Sequence, residues 1–168
     1  EDSYENKLSE DQVQGLFGEL FVLNEYVNKS NISNVNSVLD SWRGLYNSAN
    51  DFVFDLKNVE VKTKKESKFF VKISSEYQLE KELDKNLELL VVSVKVDLTN
   101  GLSVVDILQK IIKKIRLNLG DLSILYQALN QKGLNVENLK QYNNFRFLVT
   151  KTELFNASKD TFPKLSIS

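Results

Sequence analysis

Apolar residues recur at helical spacing near the start of the chain. Val13, Leu16, Leu20, Leu23 and Val27 fall on one face, and Ser9 with Gln12 three residues later supplies a capping box. The pattern predicts a first helix from Ser9 through about Val27. Asn28 to Ser41, rich in Asn and Ser, predicts a loop holding one short helical turn. The period then drops to two. Asp51-Phe52-Val53-Phe54 and Val59-Glu60-Val61-Lys62-Thr63 predict a β-hairpin turning near Leu56 and Lys57. Alternation puts Glu60 and Lys62 on one face and Val59, Val61 and Thr63 on the other.

Further along, Phe69 to Ile73 predicts a strand, Ser74 to about Leu87 a helix with a charged face, and Glu88 to Asp97 an inner strand. Ser103 heads a helix to about Leu119, with Val104, Leu108, Ile111 and Ile115 inward and Gly120 ending it. Asp121 caps a shorter helix through about Leu129, which Gly133 closes. Phe145 to Lys151 alternates into a last strand. The sum is an α/β domain with a mixed sheet of four or five strands and helices on both faces, Asp51 and Glu60 to Lys62 lying on neighbouring central strands.

Composition narrows the chemistry. At 168 residues and 42% hydrophobic content, the chain suits one domain over 1–168 with a sizeable core. It holds no apolar run of membrane-spanning length and no basic-then-apolar leader, so a cytoplasmic protein with no membrane partner is expected. The absence of Cys and His excludes disulfides, thiolate zinc sites and His-based triads, so any metal must be held by oxygen. A net charge of -1 leaves nucleic-acid binding to local patches. The chain opens with Glu1 and contains no Met, which leads us to expect a fragment of a longer protein with an N-terminal neighbour.

Two groups then stand out. A short hairpin connection would bring Asp51 beside Glu60 and Lys62, and two carboxylates with an ammonium suit a hard divalent cation such as Mg2+ and phosphodiester chemistry. Glu19 interrupts the apolar stripe of the first helix, where a carboxylate needs a metal, a lysine or a donor. A salt-bridged hairpin without chemistry is the alternative for the first group, and a glutamate reaching solvent for the second.

Asp51 and Glu60-Val61-Lys62 with an upstream glutamate resemble the PD-(D/E)xK superfamily, the fold of restriction endonucleases. More of the chain is similar to a bacterial branch that accompanies restriction and phage-defence gene clusters. The shared segments are Gly15 to Leu20, Trp42 to Gly44, Asn50-Asp51-Phe52, Glu60 to Thr63, Ile73 to Leu79 and Phe162-Pro163. Asn50 stands where the superfamily has proline, and Leu45 where the branch has another.

The resemblance implies an αβββαβ core and Mg2+-dependent DNA cleavage, with Mn2+ as substitute. Asp51, Glu60 and the Val61 carbonyl would be ligands, Lys62 would position water, Glu19 would serve as an accessory catalytic group, and Gln78 is an accessory candidate. Gly15 and Gly18 would let the first helix approach the sheet. Trp42 is expected in the core, while Arg43 and the turn lysines Lys64, Lys65 and Lys68 are the DNA-backbone candidates. A basic face on the later helix, with Lys110, Lys113, Lys114 and Arg116, reads as a solubility device. The implied partners are DNA, other subunits of a defence system and a second copy of the chain; the rival readings are a silent binding module of the same fold and a structural adaptor.

Overall fold

Ser9 and Gln12 form the capping box: the Gln12 amide donates to Ser9 Oγ at 3.2 Å, and the Ser9 amide to Gln12 Oε1 at 2.9 Å. Together they start helix α1, Glu10–Lys29. The computed structural model describes residues 7–43, 50–69 and 85–157. The predicted stripe Val13, Leu16, Leu20, Leu23 and Val27 is buried, joined by Phe17. The short turn expected between Asn28 and Ser41 is α2, Val35–Asp40, which buries Val35 and Leu39.

Among the described residues four strands make one mixed sheet in the order β1 (Phe52–Val53), β2 (Lys57–Lys65), β3 (Asn86–Val96), β4 (Phe147–Asn156). β1 pairs antiparallel with β2, β2 parallel with β3, and β3 antiparallel with β4. The apolar β3 is the inner strand the sequence predicts. β1, in contrast, is the outermost strand among the described residues, not a central one. Among the described residues its free side is met by the chain leaving α2: Trp42 bridges Phe52, the Val53 amide donates to the Ser41 carbonyl at 2.8 Å, and the Arg43 amide to the Asp51 carbonyl at 2.7 Å.

A parallel pair needs a crossover. The strand and helix expected for it, Phe69 to Ile73 and Ser74 to Leu87, fall largely on 70–84 and lie outside the described residues, as does Gln78. Asn86 and Leu87 belong to β3 rather than to that helix.

Val59, Val61, Val92 and Val94 lie on the face that α1 covers, in one core with Phe147. Phe17 packs on Phe147 with ring centroids 5.1 Å apart. Gly18 is what lets α1 come this close, since a Cβ there would overlap Thr63 Oγ1. Gly15 has no such role: a Cβ on it would meet nothing within 4 Å.

Helix α3, Val104–Leu117, starts on a Ser103/Asp106 capping box and buries Ile107, Leu108, Ile111 and Ile115. α4, Leu122–Gln131, is capped by Asp121, whose side chain accepts from the Ser123 amide. α5, Val136–Leu139, and a 3-10 turn, Lys140–Tyr142, lead into β4. The end of α3 differs from the sequence reading. Gly120 donates its amide to the Ile115 carbonyl at 2.8 Å, but Leu119 takes the left-handed conformation at φ 55. That is a Schellman turn with the glycine one place late. Leu119 is 79% exposed and strained, so Leu119→Gly is expected to stabilise the fold by about 1 kcal/mol, read from the urea midpoint.

Candidate active site

The hairpin closes as a two-residue connection: the Phe54 amide donates to the Lys57 carbonyl at 2.9 Å around Asp55 and Leu56. The register Phe52↔Val59 and Val53↔Asn58 then sets Asp51 opposite Glu60, the turn falling one residue before the Leu56 and Lys57 centre expected from the sequence. Asp51 lies just beyond the ladder, and its Oδ2 accepts the Val61 amide at 2.8 Å, fixing the carboxyl against β2. Tyr26 meets the rings of Phe52 and Phe54 edge-on at 5.2 and 5.3 Å, which ties the short β1 to α1.

Glu60 and Lys62 point away from α1, because their alternate neighbour Thr63 faces Gly18. Lys62 Nζ stands 3.7 Å from Glu60 Oε1, in reach of attraction but beyond a hydrogen bond. Glu60 is 3% exposed, and its Oε2 is buried without a donor. Glu60 also interacts with the Asp51 carboxyl, and two carboxyls share a hydrogen bond only with a proton between them. Burial, then the Asp51 charge, push Glu60 up to about 9 despite Lys62. Burial also holds Asp51 above the usual carboxylate range, against the pull of the Val61 amide.

Glu19 reaches the same region from α1. Its Oε1 accepts the Trp42 indole N–H at 3.1 Å, so the buried tryptophan of the Trp-Arg-Gly segment is both core and donor. Burial, with the Asp51 charge second, raises Glu19 to about 8. The three carboxyls influence one another without converging on one point: among the described residues no group of three acidic side chains is spaced to hold a metal ion. The site is a carboxyl pair, Asp51 and Glu60, with Glu19 held to one side.

The sign of the pH dependence follows. Glu19 and Glu60 bind protons in the fold that the unfolded chain gives up above about 4.5, so their contribution is complete below that pH and lost as pH rises through about 8 and 9. The melting temperature of the metal-free protein is expected to fall between pH 6 and pH 9.5, and Glu60→Gln to flatten the decline; differential scanning calorimetry across that range checks both.

The predicted DNA-backbone residues are placed unevenly. Lys65 Nζ lies 3.6 Å from Glu10 Oε1 and 3.4 Å from Gln14 Oε1, bracing β2 against α1. Lys64 Nζ donates to the Lys68 carbonyl across the turn, and Lys68 is exposed. Arg43 pairs with Asp40 at 3.4 Å. One cation was missed altogether. Lys132, at the end of α4, acts electrostatically on both Glu19 and Asp51, and nothing in its local sequence signals that.

Comparison with known families agrees with this arrangement. The family described as "Putative PD-(D/E)XK family member, (DUF4420)" matches residues 1–168. The chain belongs to that family. Its α/β architecture, a four-stranded mixed sheet flanked by helices, is the restriction-endonuclease-like fold expected of PD-(D/E)XK proteins. No curated protein and no solved structure matches the chain. Among the described residues no helix is long and apolar enough to cross a membrane.

Proposed function

We propose that this chain is a divalent-metal-dependent endodeoxyribonuclease acting in a bacterial restriction or phage-defence system. The observation that carries the reading is half-buried Asp51 set opposite buried Glu60, with one Glu60 oxygen lacking a donor and Lys62 standing off at 3.7 Å. A pair kept for stability alone would satisfy both oxygens and bring its lysine into contact. Here burial and the Asp51 charge instead push Glu60 up to about 9, which marks an unmet demand for positive charge.

Oxygen donors of this kind fit Mg2+ or Mn2+, and Asp51, Glu60 and the Val61 carbonyl are the groups that would hold the ion. Bound there, the cation would polarise the scissile phosphate and lower the pKa of a water molecule. Lys62 orients the attacking water and steadies negative charge on the phosphorane oxygens. The Val61 amide keeps Asp51 in place, and the Trp42 indole keeps Glu19 turned toward the site as an accessory group. Lys68 and Lys64 line the outgoing turn of β2 as contacts to the DNA backbone, while Lys65 braces the turn. The defence setting, further subunits and a paired second copy rest on the family resemblance alone.

Supercoiled plasmid incubated with the protein and Mg2+ or Mn2+ is expected to convert to nicked and linear forms, and EDTA to stop the conversion. A plasmid left intact with both metals contradicts the reading; cleavage of RNA in preference to DNA would correct the substrate.

A further inference from the structure

A cleft of about 630 Å³ runs beside the first half of α1, lined by Gln12, Gly15, Leu16, Glu19, Lys132 and Leu134. Its volume is in the range of sites that hold a small organic group. Of the three carboxyls only Glu19 lines it, and Glu19 interacts electrostatically with Asp51 and Glu60, so the cleft opens on the Glu19 side of the pair. Gly15 sits one turn before Glu19 on the same side of α1, where a side chain would meet open space. A glycine in mid-helix costs about 0.5–1 kcal/mol relative to alanine. Gly18 offsets that cost through the packing of α1 on Thr63; Gly15 contributes no packing, only an open cleft.

Lys132 follows directly on α4 and is exposed. Its charge is felt by Glu19 and by Asp51, yet among the described residues it makes no ion pair. A long, exposed side chain free to collapse onto a carboxylate and not doing so leaves its ammonium for an anion arriving from solvent. Lys62 stands beside Glu60 on the sheet; Lys132 shares the cleft with Glu19, and Leu16 and Leu134 are its apolar walls. Apolar walls with one cation at the rim suit a nucleotide, whose base or sugar is apolar on its face and whose phosphate is anionic.

We propose that this cleft receives the nucleotide next to the scissile phosphodiester, Lys132 gripping its phosphate and Leu16 and Leu134 flanking its base or sugar. The proposal rests on the nuclease reading and adds to it a positioning residue outside the Asp51, Glu60 and Lys62 motif.

The test is fluorescence anisotropy of a labelled duplex oligonucleotide, with Ca2+ in place of Mg2+, over a salt series. Wild type is compared with Lys132→Gln, Lys132→Arg, Gly15→Leu and a control, Lys110→Gln, on the outer face of α3. Lys132→Gln is expected to weaken binding about 5-fold and to lower the slope of log affinity against log salt by about one, the signature of one lost phosphate contact. Lys132→Arg restores both, Gly15→Leu weakens binding with its circular dichroism unchanged, and the control matches wild type. In plasmid cleavage, Lys132→Gln raises KM more than it lowers kcat. Lys132→Gln and Gly15→Leu binding with wild-type affinity and slope overturn the proposal while leaving cleavage by wild type, and hence the nuclease reading, intact. A wild type that binds with the expected Lys132 dependence but never cuts supports the cleft and overturns the nuclease reading; one that neither binds nor cuts overturns both.

Discussion

Lys62→Met is expected to lower the single-turnover cleavage rate of the Mn2+-loaded protein by about 10²–10³-fold, with the fold retained. Methionine keeps the unbranched shape of the lysine stem and removes only the ammonium. In a structural ion pair this would strand a buried carboxylate at a cost of about 3–5 kcal/mol. Glu60 escapes that cost because it already holds a proton up to about pH 9, and loss of the lysine only strengthens its hold. Circular dichroism and urea unfolding at pH 7 should therefore be close to wild type while the rate collapses. An unfolded variant would instead show that Asp51, Glu60 and Lys62 are a structural cluster; a folded and fully active one would remove Lys62 from catalysis.

Gly18→Ala is expected to destabilise the protein by about 3 kcal/mol, at the upper end for an added methyl group in a packed contact. The new Cβ would overlap Thr63 Oγ1, and both partners sit on regular elements, α1 and β2, that cannot easily separate. Thr63 Oγ1 is buried without a hydrogen-bond partner, so Thr63→Ala alone removes no bond and costs little. In the double variant most of the loss should return, giving a large favourable coupling in a double-mutant cycle by urea unfolding. Additive effects, or Gly18→Ala as stable as wild type, would show that α1 does not rest on β2 at this point. The same contact sets where Glu19 lies relative to Asp51.

What could be read from the sequence was local. Ser9 with Gln12 announces the start of α1 because a capping box is made within one turn, and Asp51 is carried opposite Glu60 by a two-residue connection in the same hairpin. Glu19 was conspicuous as a carboxylate in an apolar stripe, since burial there demands a partner. Its partner was not legible: the Trp42 indole comes from a separate segment, and an indole in a core has no sequence pattern that says which acceptor it meets. Edge or centre for β1 depends on pairing between distant segments, which periodicity does not carry. Gly15 and Gly18 look alike as sequence, yet helix rotation puts one against Thr63 and the other over a cleft. A run of lysines likewise conceals that Lys65 is braced by Glu10, and Lys132 lies in a distant segment, just past the end of α4.

The most direct test of the site is isothermal titration of Mn2+ into the protein at pH 7, repeated in two buffers of different ionisation enthalpy. Because Glu60 is pushed up to about 9 and Glu19 to about 8, metal uptake should displace protons and the observed heat should depend on the buffer. One site with proton release in wild type, lost in Glu60→Gln, is the expected result. Uptake with the same heat in both buffers, or binding that survives Glu60→Gln unchanged, would contradict a metal site built on the Asp51–Glu60 pair.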